Sequence, residues 1–228
     1  TIPGLRVGLH LALVNGRPVL PPAIVPDLVD GDGRFLTQLA RAGVRFFFKP
    51  GVRRQLEAEI RAQFEAFAAT GFALDHVNAH NHMHVHPTIF GLLLAIGRDY
   101  DMRAIRIPYE PVGPSWRSAR RDLRGRFGNA VLLAPWLGLM RVRARREHLV
   151  CNDFIFGLND TGRMTSDRVV RLIDHLPPGV SELYFHPATE GVEFVGEYDA
   201  LINPDVAAAL QARGAEPTTY GGLAAGAA

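Results

Sequence analysis

Segments with strand and helix patterns alternate along this chain, and this alternation constrains its fold more than any other feature. Residues 7–14 alternate around small and apolar side chains before an Asn-Gly-Arg-Pro turn, which is typical of a strand. Apolar residues over 52–68 recur at helical spacing and stop before Gly71, as in an amphipathic helix. The same reasoning predicts a strand over 73–78, a helix over 88–100 and a strand over 103–107.

The second half of the chain repeats this order, with a helix predicted over 166–176, a strand over 182–185 and a helix over 204–212. Strands separated by helices usually pair in parallel. We therefore expect one α/β domain over 1–228, with a mostly parallel sheet that is open or closed as a barrel and with sites at the carboxyl ends of strands. The glycine- and alanine-rich end, 221–228, is expected to fray.

Composition narrows the possible partners and compartment. The 25 basic and 23 acidic residues nearly cancel, so we predict no nucleic-acid partner. A single cysteine, Cys151, excludes an internal disulfide framework and a cysteine-rich zinc site. No apolar run reaches the ~20 residues of a spanning helix, and the first ten residues lack a secretion signal. These features predict a cytoplasmic location.

Histidines cluster in the middle of the chain. Five of the nine lie within eleven residues, namely His76, His80, His82, His84 and His86. In an extended segment all five would share one face, whereas in a helix only His80/His84 and His82/His86 would align. Because neutral imidazole suits zinc and related divalent ions, we expect at least one of them to bind a metal. For any single member, a surface or hydrogen-bonded role is the alternative.

Other candidate site residues lie in or just after predicted strands. His10, alone on an apolar strand, is typical of a buried structural histidine. Arg106 and Glu110 either orient a substrate or form an ordinary ion pair. His186 directly follows a strand and is a candidate proton donor to a leaving group. Asp160 is interpreted as an ordinary loop acid.

One segment, 117–146, stands out for its charge. It holds nine arginines, and these flank the apolar stretch 130–140, which includes Trp136. An apolar stretch too short to span a bilayer and bordered by arginines is typical of a membrane-surface contact. The alternative is a buried hairpin with solvated flanks.

Four motifs in this order resemble the YdjC-like family of carbohydrate deacetylases, and most closely its hopanoid-biosynthesis-associated branch. They are Gly8-Leu9-His10-Leu11-Ala12-Leu13, His76-Val77-Asn78-Ala79-His80-Asn81-His82-Met83-His84, Arg106-Ile107-Pro108 and His186-Pro187. The resemblance implies a (β/α) barrel-like domain. It also implies one divalent metal ion, magnesium or zinc, that helps remove an acetyl group from an N-acetylglucosamine unit.

The resemblance also implies roles for single residues. His10 and His80 match the two histidine ligands, and His186 would lie near the reacting amide as the catalytic acid. Asn78, His82, His84, Arg106 and Glu110 would bind substrate or support the ligands. The branch implies a glycosylated lipid or amino-sugar substrate, and segment 117–146 would then allow a peripheral position at the inner membrane surface.

The sequence departs from the family pattern at its start. Family members carry an Asp-Asp pair on a first strand as ligand and base, but this sequence has no adjacent Asp-Asp. We therefore expect the first strand and helix of the domain to be missing, and Thr1 favours a fragment. For a fragment we expect weak metal binding and little turnover. Asn78 and Ala188 replace a family aspartate and glycine. A two-metal barrel hydrolase of the amidohydrolase or phosphoesterase type, or a catalytically impaired metal-binding or membrane-peripheral module, are the alternatives.

Overall fold

The protein is described from a computed structural model, which covers residues 4–190 and 194–226. Within these residues the strands are β1 (Val7–Leu11), β2 (Leu74–Ala79), β3 (Phe154–Phe156) and β4 (Ser181–Leu183). The helices are α1 (Leu39–Phe48), α2 (Pro50–Ala68), α3 (Pro87–Gly97), α4 (Val112–Ala119), α5 (Leu123–Arg146), α6 (Ser166–Ile173), α7 (Val195–Ile202), α8 (Pro204–Arg213) and α9 (Tyr220–Gly226). The fold is thus mixed α/β, as predicted.

The chain forms two compact units from interleaved segments. The first unit contains the described residues up to Arg106, Val142–Cys151 and the described residues from Thr219 onwards. The second contains Ile107–Arg141 and Asn152–Thr218 without the undescribed residues 191–193. Because each unit uses separated segments, no single point in the sequence divides the domain predicted over 1–228.

Parallel pairing organises the first unit. β1 and β2 pair in parallel in a register that places His10 opposite Asn78. Single parallel bridges continue from Val77 to Ile105 and from Ala104 to Val150, so the strand predicted over 103–107 is reduced to isolated bridges. Helix α2 follows its predicted apolar spacing, since it buries Leu56, Ile60 and Phe64.

In the second unit, β3 and β4 also pair in parallel. A hydrophobic core forms where β3 packs with α6 and α7, and it contains Phe156, Met164, Val169, Leu172, Ile173 and Ala200. Among the described residues each sheet has two strands and neither is closed. The structure therefore shows the α/β class without showing a barrel.

The C-terminal end differs from the expectation of a frayed segment over 221–228. Tyr220–Gly226 form helix α9, and the backbone N–H of Gly221 donates a hydrogen bond of 2.8 Å to the Asp75 carboxylate. This long-range contact gives the small residues a tertiary partner that their composition does not reveal. Residues 227–228 lie outside the described part of the chain.

Segment 117–146 contains one long helix, α5, and not the buried hairpin considered as an alternative. Leu137 and Met140 are buried, whereas Phe127, Val131 and Leu132 are exposed. In the described residues, no helix combines the length and apolar character that crossing a bilayer requires.

Candidate functional site

The parallel pairing of β1 with β2 brings three predicted site residues together. His10 and Asn78 are cross-strand partners, and the His10 Nδ1 and Asn78 Oδ1 atoms are 2.5 Å apart. His80 follows the end of β2, and its ring lies 5.7 Å from that of His10 at an interplanar angle of 78°. Two histidines distant in sequence therefore lie side by side at the carboxyl ends of adjacent strands, where an α/β sheet commonly binds ligands.

A line of hydrogen bonds continues from His10 into the protein. Asn78 Nδ2 lies 3.2 Å from His76 Nε2, and His76 Nδ1 lies 3.0 Å from Asp75 Oδ2. The carboxylate can only accept, so His76 donates from Nδ1 and accepts from the Asn78 amide at Nε2. The amide oxygen of Asn78 then accepts from His10 Nδ1–H. We call Asp75, His76 and Asn78 the support chain of His10.

The support chain assigns the tautomer of His10. With its proton at Nδ1, neutral His10 carries its lone pair on Nε2, which is the atom a metal requires. Metal-binding histidines commonly donate their other ring N–H to a protein acceptor in this way. The side chain of Asn78 is buried, and His10 is exposed, so one end of this line is fixed and the other is accessible.

Close packing fixes the His76 ring. It stacks on Tyr220 with ring centroids 4.6 Å apart, and a Cβ at Gly8 would lie only 2.6 Å from it. Glycine is therefore required at position 8 by the ring itself. Asp75 and Tyr220 were not predicted from the sequence, and the Asp-His-Val-Asn order of β2 was the one available signal for Asp75.

His84 is fully buried and supports the backbone of a neighbouring segment. Its Nε2–H donates a 3.0 Å hydrogen bond to the Arg106 carbonyl oxygen. Burial lowers the pKa of His84 to about 3, and the positive charges of His82 and Arg106 act in the same direction. His84 is consequently neutral near pH 7 and is unsuited to proton transfer there.

This buried histidine predicts a pH dependence of stability in the metal-free protein. The unfolded chain binds a proton at His84 near pH 6.5, whereas the folded protein resists it down to about pH 3. The free energy of unfolding should therefore fall by about 1.4 kcal/mol per pH unit as pH drops through that window. Urea unfolding at several pH values should show a smaller slope for His84→Met and an unchanged slope for His148→Asn. Equal slopes in all three proteins would exclude this role for His84.

The remaining clustered histidines differ in their surroundings. His86 caps helix α3, since its Nδ1 accepts from the Thr88 N–H at 3.2 Å, and its Nε2–H donates to the Gly43 carbonyl oxygen at 3.0 Å. Burial lowers its pKa. His82 has a left-handed backbone with φ of 52°, and its ring packs edge to face with that of His84. The cluster is thus neither one extended face nor one helical face.

His186 lies in the second unit, just after β4. Its Nε2 is 2.6 Å from the Tyr184 hydroxyl, and its backbone N–H donates to the fully buried Glu197 carboxylate at 2.5 Å. The Tyr184 contact positions an imidazole that can exchange a proton. Its place near a reacting amide stays a prediction.

Glu110 belongs to a buried ionic network in the second unit. It accepts hydrogen bonds from Ser115 Oγ, from the Asn159 N–H at 3.0 Å and from Arg126 at 3.4 Å. Arg126 also pairs with Asp160 at 2.6 Å. Glu110 therefore forms a structural ion pair with Arg126, and these contacts account for its position. Arg106 is buried in the first unit.

Asp160 is the centre of this network and is not the ordinary loop acid expected. It is 3% exposed and also pairs with Arg121 at 2.8 Å and Arg168 at 2.6 Å. Burial alone would raise the pKa of Asp160, but hydrogen bonds from Arg126 and Arg121 and the charge of Arg168 outweigh it, so that the pKa is lowered. The carboxylate is therefore ionised and committed to three guanidinium groups.

The donor set fits part of a divalent-metal site. His10 and His80 offer two imidazoles, and His10 carries the tautomer that coordination needs. In the described ranges, however, no group of three or more His, Cys, Asp or Glu side chains has the geometry to hold a metal ion. The described residues thus offer two candidate ligands, where a catalytic zinc site usually has three from protein.

Comparisons with known proteins identify a family and several relatives. A sequence profile described as YdjC-like protein matches residues 1–212. The carbohydrate deacetylase of Geobacillus stearothermophilus is 29% identical over 231 residues, covering 96% of this chain and 76% of the relative. That of Brevibacillus brevis is 38% identical over 107 residues, covering 47% of this chain. The chitooligosaccharide deacetylase of Yersinia pestis is 34% identical over 101 residues, covering 42% of this chain.

The shared lengths are limited for two of these relatives. The matched region spans 40% of the Brevibacillus protein and 36% of the Yersinia protein. A solved structure from Enterococcus faecalis V583, described as a candidate cellobiose-phosphate cleavage protein, has a TM-score of 0.70 and covers 97% of this chain and 78% of that one. At 22% identity this likeness concerns the fold alone.

Proposed function

This chain belongs to the YdjC-like protein family, and from that premise we propose that it removes an acetyl group from an N-acetylated sugar with the help of a divalent metal ion. The observation that carries the proposal is the pair of adjacent imidazoles at the strand ends, His10 and His80, with His10 held in the coordinating tautomer by its support chain. The deacetylase relatives supply the reaction class.

His10 and His80 would hold the metal. A divalent ion in such a site lowers the pKa of water and polarises an amide carbonyl. Imidazole ligands favour zinc or a similar ion, whereas magnesium prefers oxygen ligands; both remain within the proposal. The Asn78 oxygen makes His10 a stronger metal ligand by accepting the hydrogen bond from its Nδ1–H.

The leaving amine needs a proton, and we assign this to His186. Its ring contacts the Tyr184 hydroxyl, which can restrain the ring and exchange a proton with it. His82, His84 and Arg106 would support the ligands, and the contact of His84 with the Arg106 carbonyl is the supporting observation. Glu110 would act only indirectly, through the network with Arg126.

We further propose N-acetylglucosamine on a hopanoid lipid as substrate and a (β/α) barrel-like arrangement for the family domain, because the motifs resemble that branch. Acetate release from N-acetylglucosaminyl hopanoid and from diacetylchitobiose should be compared, with and without chelator. Release that chelator leaves unchanged would reject the metal mechanism. Faster release from diacetylchitobiose would reject the lipid substrate while preserving the deacetylase.

The support chain gives a prediction that does not depend on turnover. Asn78→Ala removes the acceptor for His10 Nδ1–H, so metal affinity should fall by about 10–100-fold. Asn78→Asp keeps an acceptor there and should retain the affinity. Isothermal titration with zinc measures both, and Glu57→Gln, an exposed change on α2, serves as control. Unaltered affinity in Asn78→Ala would show that the support chain does not position the ligand.

The two-metal alternative predicts additional acidic ligands beside the histidines. No carboxylate joins His10 and His80 in a metal-binding group among the residues described. No observation therefore favours that second function.

A further inference from the structure

Helix α5 is apolar on two opposite sides, and only one of them is buried. Leu137 and Met140 are at most 3% exposed. The opposite side carries Phe127, Val131, Leu132 and Leu139, which are 59%, 56%, 80% and 49% exposed. We call these four residues the outer face of α5. Because contiguous patches of water-exposed apolar groups mark interaction sites, the outer face is a candidate interaction surface.

The charges around this face identify the chemistry of that partner. Segment 117–146 contains nine arginines and a single acid, Asp122. Arg117, Arg120 and Arg124 are exposed near the start of α5, and Arg143, Arg145 and Arg146 occupy its last turn. Arg121 and Arg126 pair with Asp160, and the other arginines border the apolar residues along the chain.

We propose that the outer face of α5 binds the surface of an anionic lipid membrane, with the helix lying in the interface. Its apolar side chains would enter the boundary between headgroups and acyl chains, while the arginines contact lipid phosphates. The interface accommodates a helix apolar on its outer side without requiring it to span the bilayer. This inference does not rest on the proposed deacetylase activity.

A second copy of the chain fits this face less well. Pairing two outer faces would bring together two arginine-rich segments, each with one acid, and like charges at an interface are repulsive. An anionic surface removes that repulsion and is attracted to every exposed arginine. The charge pattern therefore favours lipid over self-association.

Vesicle cosedimentation tests the proposal with the full chain. Binding to phosphatidylcholine vesicles containing about 30% phosphatidylglycerol should exceed binding to phosphatidylcholine alone and should weaken in about 0.5 M salt. The double variant Phe127→Gln/Leu132→Gln should partition at least about tenfold less. Arg117→Gln and Arg124→Gln should each reduce partitioning about fivefold.

Matched controls distinguish a loss of vesicle binding specific to α5 from the effect of removing any apolar or basic surface residue. Leu201→Gln, at a residue 52% exposed on α7, and Arg163→Gln, at an exposed arginine outside segment 117–146, should bind as the unchanged protein does. Circular dichroism establishes that each variant is folded. Equal binding to neutral and anionic vesicles, no binding, or a dimer in solution that Phe127→Gln/Leu132→Gln dissociates would overturn the proposal.

Discussion

Replacing His80 with alanine should lower the affinity for zinc by more than about 100-fold and reduce acetate release at least as much. Loss of a residue that only supports a ligand lowers metal affinity by about 10–100-fold. Loss of the ligand itself should lower it further. His10→Ala should have the same effect because the two rings are adjacent, 5.7 Å apart. The two variants should remain folded, since His10 and His80 are not buried.

Titration calorimetry for affinity and an acetate assay for turnover provide the two readouts. His148→Asn is the matched control, since it removes an exposed histidine whose positive φ of 58° asparagine tolerates. The assignment fails if His80→Ala binds zinc as tightly as the control. Retained affinity with lost turnover would instead place His80 among the groups that act on the substrate.

Replacing Asp160 with asparagine should lower the free energy of unfolding by about 3–5 kcal/mol. The carboxylate lies within 2.8 Å of guanidinium nitrogens of Arg121, Arg126 and Arg168. Asparagine is similar in size but uncharged, so the variant keeps the packing and leaves buried guanidinium charge opposed mainly by Glu110. The loss should therefore reflect charge and not a cavity.

Urea unfolding measures this loss, and Asp199→Asn, an exposed change in the same unit, should stay within about 0.5 kcal/mol. The lowered pKa of Asp160 adds a pH signature. Its stabilisation is complete above the ordinary value of 3.8 and is lost as pH falls through the lower pKa of the folded state. Equal stability of Asp160→Asn and the unchanged protein would mean that solvent screens the network.

Elements of the fold and the position of the candidate site were predictable where the controlling interactions follow a local pattern. The apolar spacing over 52–68 predicted α2, and alternating strand and helix patterns predicted parallel neighbours. Parallel pairing is also what brings His10 and Asn78 together. The resemblance selected His80 from its cluster. Residue spacing alone left helical and extended arrangements open. The structure shows a strand followed by a kinked turn.

Other features depended on contacts that no local pattern contains. The partner of Asp75 lies at Gly221, separated by 146 positions. Asp160 was interpreted as a loop acid because two of its arginines, Arg121 and Arg126, lie more than thirty residues before it. The side of α5 that is buried was equally unpredictable, since both sides are apolar and periodicity requires contrast between them.

Helix α9 contacts two members of the support chain of His10. Tyr220 covers one flat side of the His76 ring, and the next residue holds Asp75 by its backbone. A segment of small residues is thereby connected, through His76 and Asn78, to the His10 ring more than 200 positions earlier in the sequence. Natural variation should consequently tolerate most side-chain exchanges over 222–226. It should resist side chains at Gly221, where a Cβ would lie 2.8 Å from the Asp75 carboxylate, and deletions that shift Tyr220 out of register.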